Sequence, residues 1–112
     1  FHYLRDDCKA VLPADYTMLA ANQIKLFANF DKMRILEYLT LNGASCVSDI
    51  VAGIESEQLK VSQNLKRLRD DGFVVCHREG RYIIYDITPG VHKTAIQCIH
   101  KRYDSLKNKD DF

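Results

Sequence analysis

The spacing of hydrophobic positions along the chain changes period once, and the change separates a helical body from a short β segment. Met18, Leu19, Ala21, Ile24, Phe27 and Ala28 recur at helical spacing between Asp15 and about Asn29. Met33, Ile35, Leu36 and Leu39 continue the pattern on a second helix, with Asp31 as the expected N-cap and Asn42-Gly43 as the stop. A short helix from about Val47 to Gly53, opened by Ser45 or Cys46, turns Val47, Ile50 and Val51 inward. Ser56 is the expected cap of a fourth helix running to about Asp70, on which Val61, Leu65 and Leu68 fall at i, i+4 and i+7. Beyond Asp71-Gly72 the period becomes two. FVVCH and RYIIYDI are β-branched and aromatic runs joined through Arg78, Glu79 and Gly80, and Gly80 can supply the positive φ of a tight turn. A last helix follows Pro89-Gly90, with Val91, Ala95, Ile96, Ile99, Tyr103 and Leu106 as its apolar face.

This pattern predicts a mainly α fold with a small β-hairpin, in the order α-α-α-α-β-β-α. A short helix, a turn and a capped second helix read as a helix-turn-helix, and the hairpin directly after it reads as a wing. Residues 1–13 are expected to form an N-terminal arm ending at Pro13, and residues 14–112 a single winged-helix DNA-binding and dimerisation domain.

Composition agrees with that size of fold. With 112 residues, 46% hydrophobic and 28% charged, the chain suits one globular domain with a small core. No run of about 18 apolar residues is present, so no membrane span is expected. The opening FHYLRDDCKAVLP is too polar for a signal peptide, which makes the cytoplasm the expected location. Net charge is only +1, but between Lys60 and Arg81 six bases face three acids, a local net of +3.

That basic stretch, SEQLKVSQNLKRLRDDGFVVCHREGRYIIYDI, carries the candidate chemistry. With Val61, Leu65 and Leu68 turned inward, about 100° per residue puts Leu59, Gln63, Lys66, Arg67 and Asp70 on the opposite face. Lys60, Ser62 and Asn64 lie on the flanks. Gln and Asn amides can bond adenine edges in a major groove, and Lys or Arg can reach guanine or phosphate. Leu59 either touches a thymine methyl or folds inward as a helix-start residue. The helix alone would also suit a solvated amphipathic surface. The hairpin changes the balance, because Arg78 and Arg81 flank Glu79-Gly80, where a wing would meet a sugar-phosphate backbone.

Enzyme chemistry has little support. There is no glycine-rich phosphate loop, no HExxH and no G-x-S-x-G, and His2, His77, His92 and His100 are scattered. The stronger rival is a winged helix that binds proteins, since fold alone does not establish a DNA partner. Such modules usually lack a basic wing tip and a bonding recognition face.

The run from Phe27 to Ile87 resembles the ArsR/SmtB family of bacterial winged-helix repressors. The resemblance rests on FANFDKMRILEYL, on SCVSDI, and most specifically on V-S-x-x-L-K-x-L-R-x-x-G-x-V followed by R-x-G-R-x-x-x-Y. It implies a homodimer on an inverted-repeat operator in double-stranded DNA, released by an inducer. It carries the DNA-contacting role to Gln58, Lys60, Ser62, Gln63, Asn64 and Lys66 on the recognition helix, and to Arg78 and Arg81 on the wing. Arg67, on the same outward face, is added to these contacts. Two such helices would need half-sites about one helical turn apart. The first and last helices would then bury Ile96, Ile99, Tyr103 and Leu19 across the two-fold axis.

Sensing must be argued separately. Thiolate metal sensors of the family carry E-L-C-V-C-D-L where this chain reads ASCVSDI, so Cys46 matches the first cysteine and Ser48 replaces the second. Soft ions need two to four thiolates, so a thiolate-bound metal or metalloid ion would need a further ligand. The arm offers Cys8, with His2 more distant. The competing account makes Cys46 a small buried residue at a helix start, although the positive end of a helix dipole favours a thiolate. The family's zinc or nickel pattern on the last helix is not matched, because His92 and His100 are about 80° out of line. His100 and Asp104, at i and i+4, could form a half-site, but a surface hydrogen bond between them is the expectation. Family members with a redox or persulfide switch place one cysteine on the last helix, where Cys98 lies here, and one on the second, where Glu37 stands instead. Cys76 is expected to be a packed strand residue.

Overall fold

The computed structural model of the protein describes residues 10–108. Helix α1 (Ala14–Phe27) begins behind Pro13, whose fixed φ suits a helix start, and has Asp15 in its first turn. Phe27 is its one buried residue, so nearly the whole helix stands clear of the core.

Helix α2 (Phe30–Asn42) corrects the expected cap. Asn29, in an extended conformation, accepts a hydrogen bond from the Lys32 backbone amide at 3.1 Å. Asp31 lies inside the first turn instead, because only the residue before the helix has the extended backbone that lets its side chain reach back to a free amide. Strand β1 (Ser45–Cys46) is an addition to the expected order, and it leads directly into α3 (Val47–Ile54) with Cys46 as the N-cap position. Glu55, at φ 55°, ends α3 in the left-handed region, and the Ser56 amide closes the turn on the Val51 carbonyl at 3.2 Å. Helix α4 (Gln58–Asp70) therefore starts behind Glu57 with no side-chain cap, and Ser56 is not its cap.

Strands β2 (Val74–Glu79) and β3 (Tyr82–Ile87) pair antiparallel from Val74↔Ile87 to Glu79↔Tyr82. Gly80 has φ 62°, and Arg81 does not share it, which is the pattern of a two-residue type II′ turn. β1 adds to the free edge of β3 through Ser45↔Tyr85 and Cys46↔Ile84, giving the order β1-β3-β2. Helix α5 (Val91–Asn108) completes the chain. None of the helices among the described residues is long and apolar enough to cross a membrane.

The core joins Ile35, Leu36 and Leu39 of α2, Ile50 of α3, Val61, Leu65 and Leu68 of α4, Val74 and Ile87 of the hairpin, and Ile96 of α5. The predicted stripe of α4 is thus the face that packs inward. Helix α3 lies so close to α2 that a Cβ on Gly53 would meet the Tyr38 ring at 2.1 Å.

Among the described residues two polar side chains are buried, Ser45, whose hydroxyl donates to the Gly43 carbonyl at 2.9 Å, and His92. His92 is buried against Phe27 and Phe73, with ring centroids 6.1 and 4.8 Å away. The Thr88 hydroxyl donates to the Gly72 carbonyl at 2.8 Å, so its oxygen is left to accept from His92 Nε2 at 3.1 Å. Burial holds the imidazole below its ordinary range. The unfolded chain therefore takes up a proton before the folded one does, and stability falls as pH drops through about 6.5. A lower melting temperature is expected on acidification through that value. The His92→Phe variant, which keeps the aromatic packing, should lose this part of the pH slope in thermal scans.

Candidate nucleic-acid interface

Helix α4 presents a bonding face because its apolar residues are all consumed by the core. Gln58, Lys60, Ser62, Gln63, Lys66 and Arg67 are exposed, as expected of residues that must reach a ligand. Asn64 is half-buried, and its amide donates to the Lys60 carbonyl one turn back at 3.0 Å, which uses one of its donors. Lys60 Nζ lies 3.5 Å from the Asp31 carboxylate at the start of α2. This half-exposed pair is worth little as stabilisation, but it places an acid beside one of the expected DNA contacts.

The wing brings its arginines to the tip of the hairpin. Arg78 donates to the Gly80 carbonyl at 3.4 Å. The Arg81 guanidinium lies 5.2 Å from the centre of the Tyr82 ring and donates to the Tyr82 hydroxyl at 3.2 Å. Tyr82 thus supports a wing cation, a role the sequence reading missed, although its place one residue beyond Arg81 was the available signal. Glu79 is paired with His77 at 2.6 Å, so the acid at the tip has its own partner. Arg69 reaches from the last turn of α4 to Cys76 Sγ at 3.8 Å, tying the helix to the first strand of the wing.

The cysteines do not converge. Cys46 is half-buried, and its sulfur lies 3.2 Å from the Ser48 hydroxyl, the residue that replaces a second thiol. Cys8 lies outside the described residues. Cys76 is half-buried on β2 and Cys98 is exposed on α5. Among the described residues, no group of three His, Cys, Asp or Glu side chains is placed to hold a metal ion. Among the described residues, the donors around Cys46 are too few to hold a soft ion by themselves. His100 does not pair with Asp104 as expected: its Nε2 meets Glu37 of α2 at 3.1 Å, and Arg34 meets the same carboxylate oxygen at 3.2 Å.

Of the residues expected at a subunit interface, Leu19, Ile99 and Tyr103 are exposed. Ile96 is a correction. It is fully buried within its own protomer and has no surface left to bury against another. The apolar face of α5 is wide enough for one side to serve the core while the next turns outward.

A helix-turn-helix whose second helix shows amides and bases, followed by an arginine-tipped hairpin, defines a winged helix of the nucleic-acid-reading class. No protein-family model matches the chain. Individual proteins do. It is 24% identical over 92 residues to the arsenical resistance operon repressor of Escherichia coli, covering 82% of this chain and 79% of that protein. It is 31% identical over 80 residues to the transcriptional activator HlyU of Vibrio cholerae, covering 71% of this chain and 73% of that one. The crystal structure of the AntR antimony-specific transcriptional repressor superposes with a TM-score of 0.79 at 21% identity, over 96% of this chain and 99% of the other. The chain belongs to the ArsR family of winged helix-turn-helix transcriptional regulators.

Proposed function

We propose that the protein is a homodimeric, cytoplasmic repressor that reads an inverted-repeat operator with one α4 in each major-groove half-site and holds the backbone with the wing arginines. The observation that carries this reading is the division of α4: Val61, Leu65 and Leu68 are buried, while Gln63, Lys66 and Arg67 are exposed on the other side. Base edges in the major groove present donors and acceptors that such side chains match, and phosphates attract the bases at the wing. Fluorescence anisotropy with DNA from upstream of the protein's own gene, against a scrambled duplex, tests it. Tight, salt-sensitive and sequence-selective binding is expected. Equal affinity for both duplexes would overturn base readout, and no binding to either would favour a protein-binding winged helix.

Release by an inducer is the second part of the proposal. A metal or metalloid signal read at Cys46 requires a ligand from the N-terminal arm, because Ser48 is a hard, neutral oxygen where a soft ion needs sulfur. Cys8 is the residue the arm offers. Cadmium and arsenite are accordingly expected to leave DNA bound to the Cys8→Ser variant in the anisotropy assay. Release that persists in that variant would remove the arm from the site.

A further inference from the structure

Leu59 lies on the first turn of α4 and is 69% exposed. The structure thus decides against an inward-folded helix-start residue. An exposed leucine by itself carries no message, since much of any protein surface is apolar. Its position does. Leu59 is the one exposed large hydrophobic side chain on α4 among the described residues, and every other leucine or valine of that helix is fully buried. At about 100° per residue, it shares a strip of roughly 60° with Gln63 and Lys66, directly opposite the core stripe. The polar neighbours can bond base edges, and Leu59 can do neither that nor attract a phosphate.

A major groove offers such a side chain one apolar feature, the C5-methyl group of thymine. Recognition helices of this class address base edges mainly with their N-terminal residues, and Leu59 is the second residue of its helix. We propose that Leu59 is a specificity-determining residue that reads a thymine in each half-site by packing on its methyl group. This deepens the proposed function and rests on α4 being the DNA-reading helix.

The test uses the full chain and a duplex enriched from a random library by the wild-type protein. Each thymine is replaced in turn by deoxyuridine, which removes only the methyl group, and affinity is measured for wild type, Leu59→Ala and Leu59→Met. Wild type is expected to lose about fourfold at one thymine per half-site, and about fifteenfold when both symmetric positions are changed. Leu59→Ala should bind the thymine and uracil duplexes alike at that position, while Leu59→Met keeps the discrimination. Because Leu59 is outside the core, unchanged melting temperatures should accompany all three. If wild type selects a sequence yet no single demethylation matters, or if Leu59→Ala retains the discrimination, the methyl contact is overturned and DNA reading stands. If the library yields no enriched sequence, the DNA-reading assignment falls and the methyl contact falls with it.

Discussion

Ile99→Glu is expected to convert the protein to a monomer and to weaken operator binding by about 10²–10⁴-fold, the advantage that linking two half-site contacts supplies. The reason lies in how little of α1 and α5 the protomer uses. Tyr16, Met18, Leu19 and Ile24 of α1 and Ile99 and Tyr103 of α5 are all exposed, and α1 buries Phe27 alone. A second copy of the chain can cover this surface isologously, each large side chain contributing roughly 1.5–3 kcal/mol when fully buried. A carboxylate placed there would have to be desolvated on a surface that already carries Glu37 and Asp104. Since Ile99 lies outside the core, helix content by circular dichroism should be unchanged, and sedimentation should report the halved mass. Leu19→Glu should act in the same direction from the other helix. A dimer that survives both changes would place the interface elsewhere.

The recognition helix and the wing should fail in different ways. Gln63→Ala and Lys66→Ala are each expected to weaken binding to the selected duplex by about 2–6 kcal/mol for the dimer, roughly 30- to 10⁴-fold. Their loss on random DNA should be much smaller for Gln63→Ala, which removes no charge. Arg78→Ala and Arg81→Ala should weaken both DNAs alike and lower the salt slope by about 1.8 per dimer, two phosphate contacts being lost. Tyr82→Phe, which keeps the ring under Arg81 but removes the hydroxyl that accepts from it, should show a smaller effect of the same kind. Equal losses on selected and random DNA from Gln63→Ala would remove base readout from α4.

The wing and the reading face were legible early because each is a property of one continuous segment. The rest of the site was not. Lys60 was expected as a DNA contact on the flank of α4, and nothing in its own segment showed that Asp31 comes to 3.5 Å from it from a different helix. His100 was assigned a neighbour one turn away, yet it meets Glu37, 63 positions distant. Ile96 and Ile99 look alike in the sequence, both apolar and one turn apart, and only packing separates the fully buried one from the one turned outward.

What the sequence by itself determined was the five helices and the hairpin, the change of period at the wing, and the side of α4 left for a ligand. Those follow from local geometry: 3.6 residues per helical turn and two per strand repeat place side chains on faces whatever lies beyond. Only the tertiary structure decided that Ser45 and Cys46 join the sheet as a third strand, and that Leu59 stays in the open. Each depends on which distant groups meet, where strand edges and apolar surfaces differ by a single contact. No local period encodes that choice.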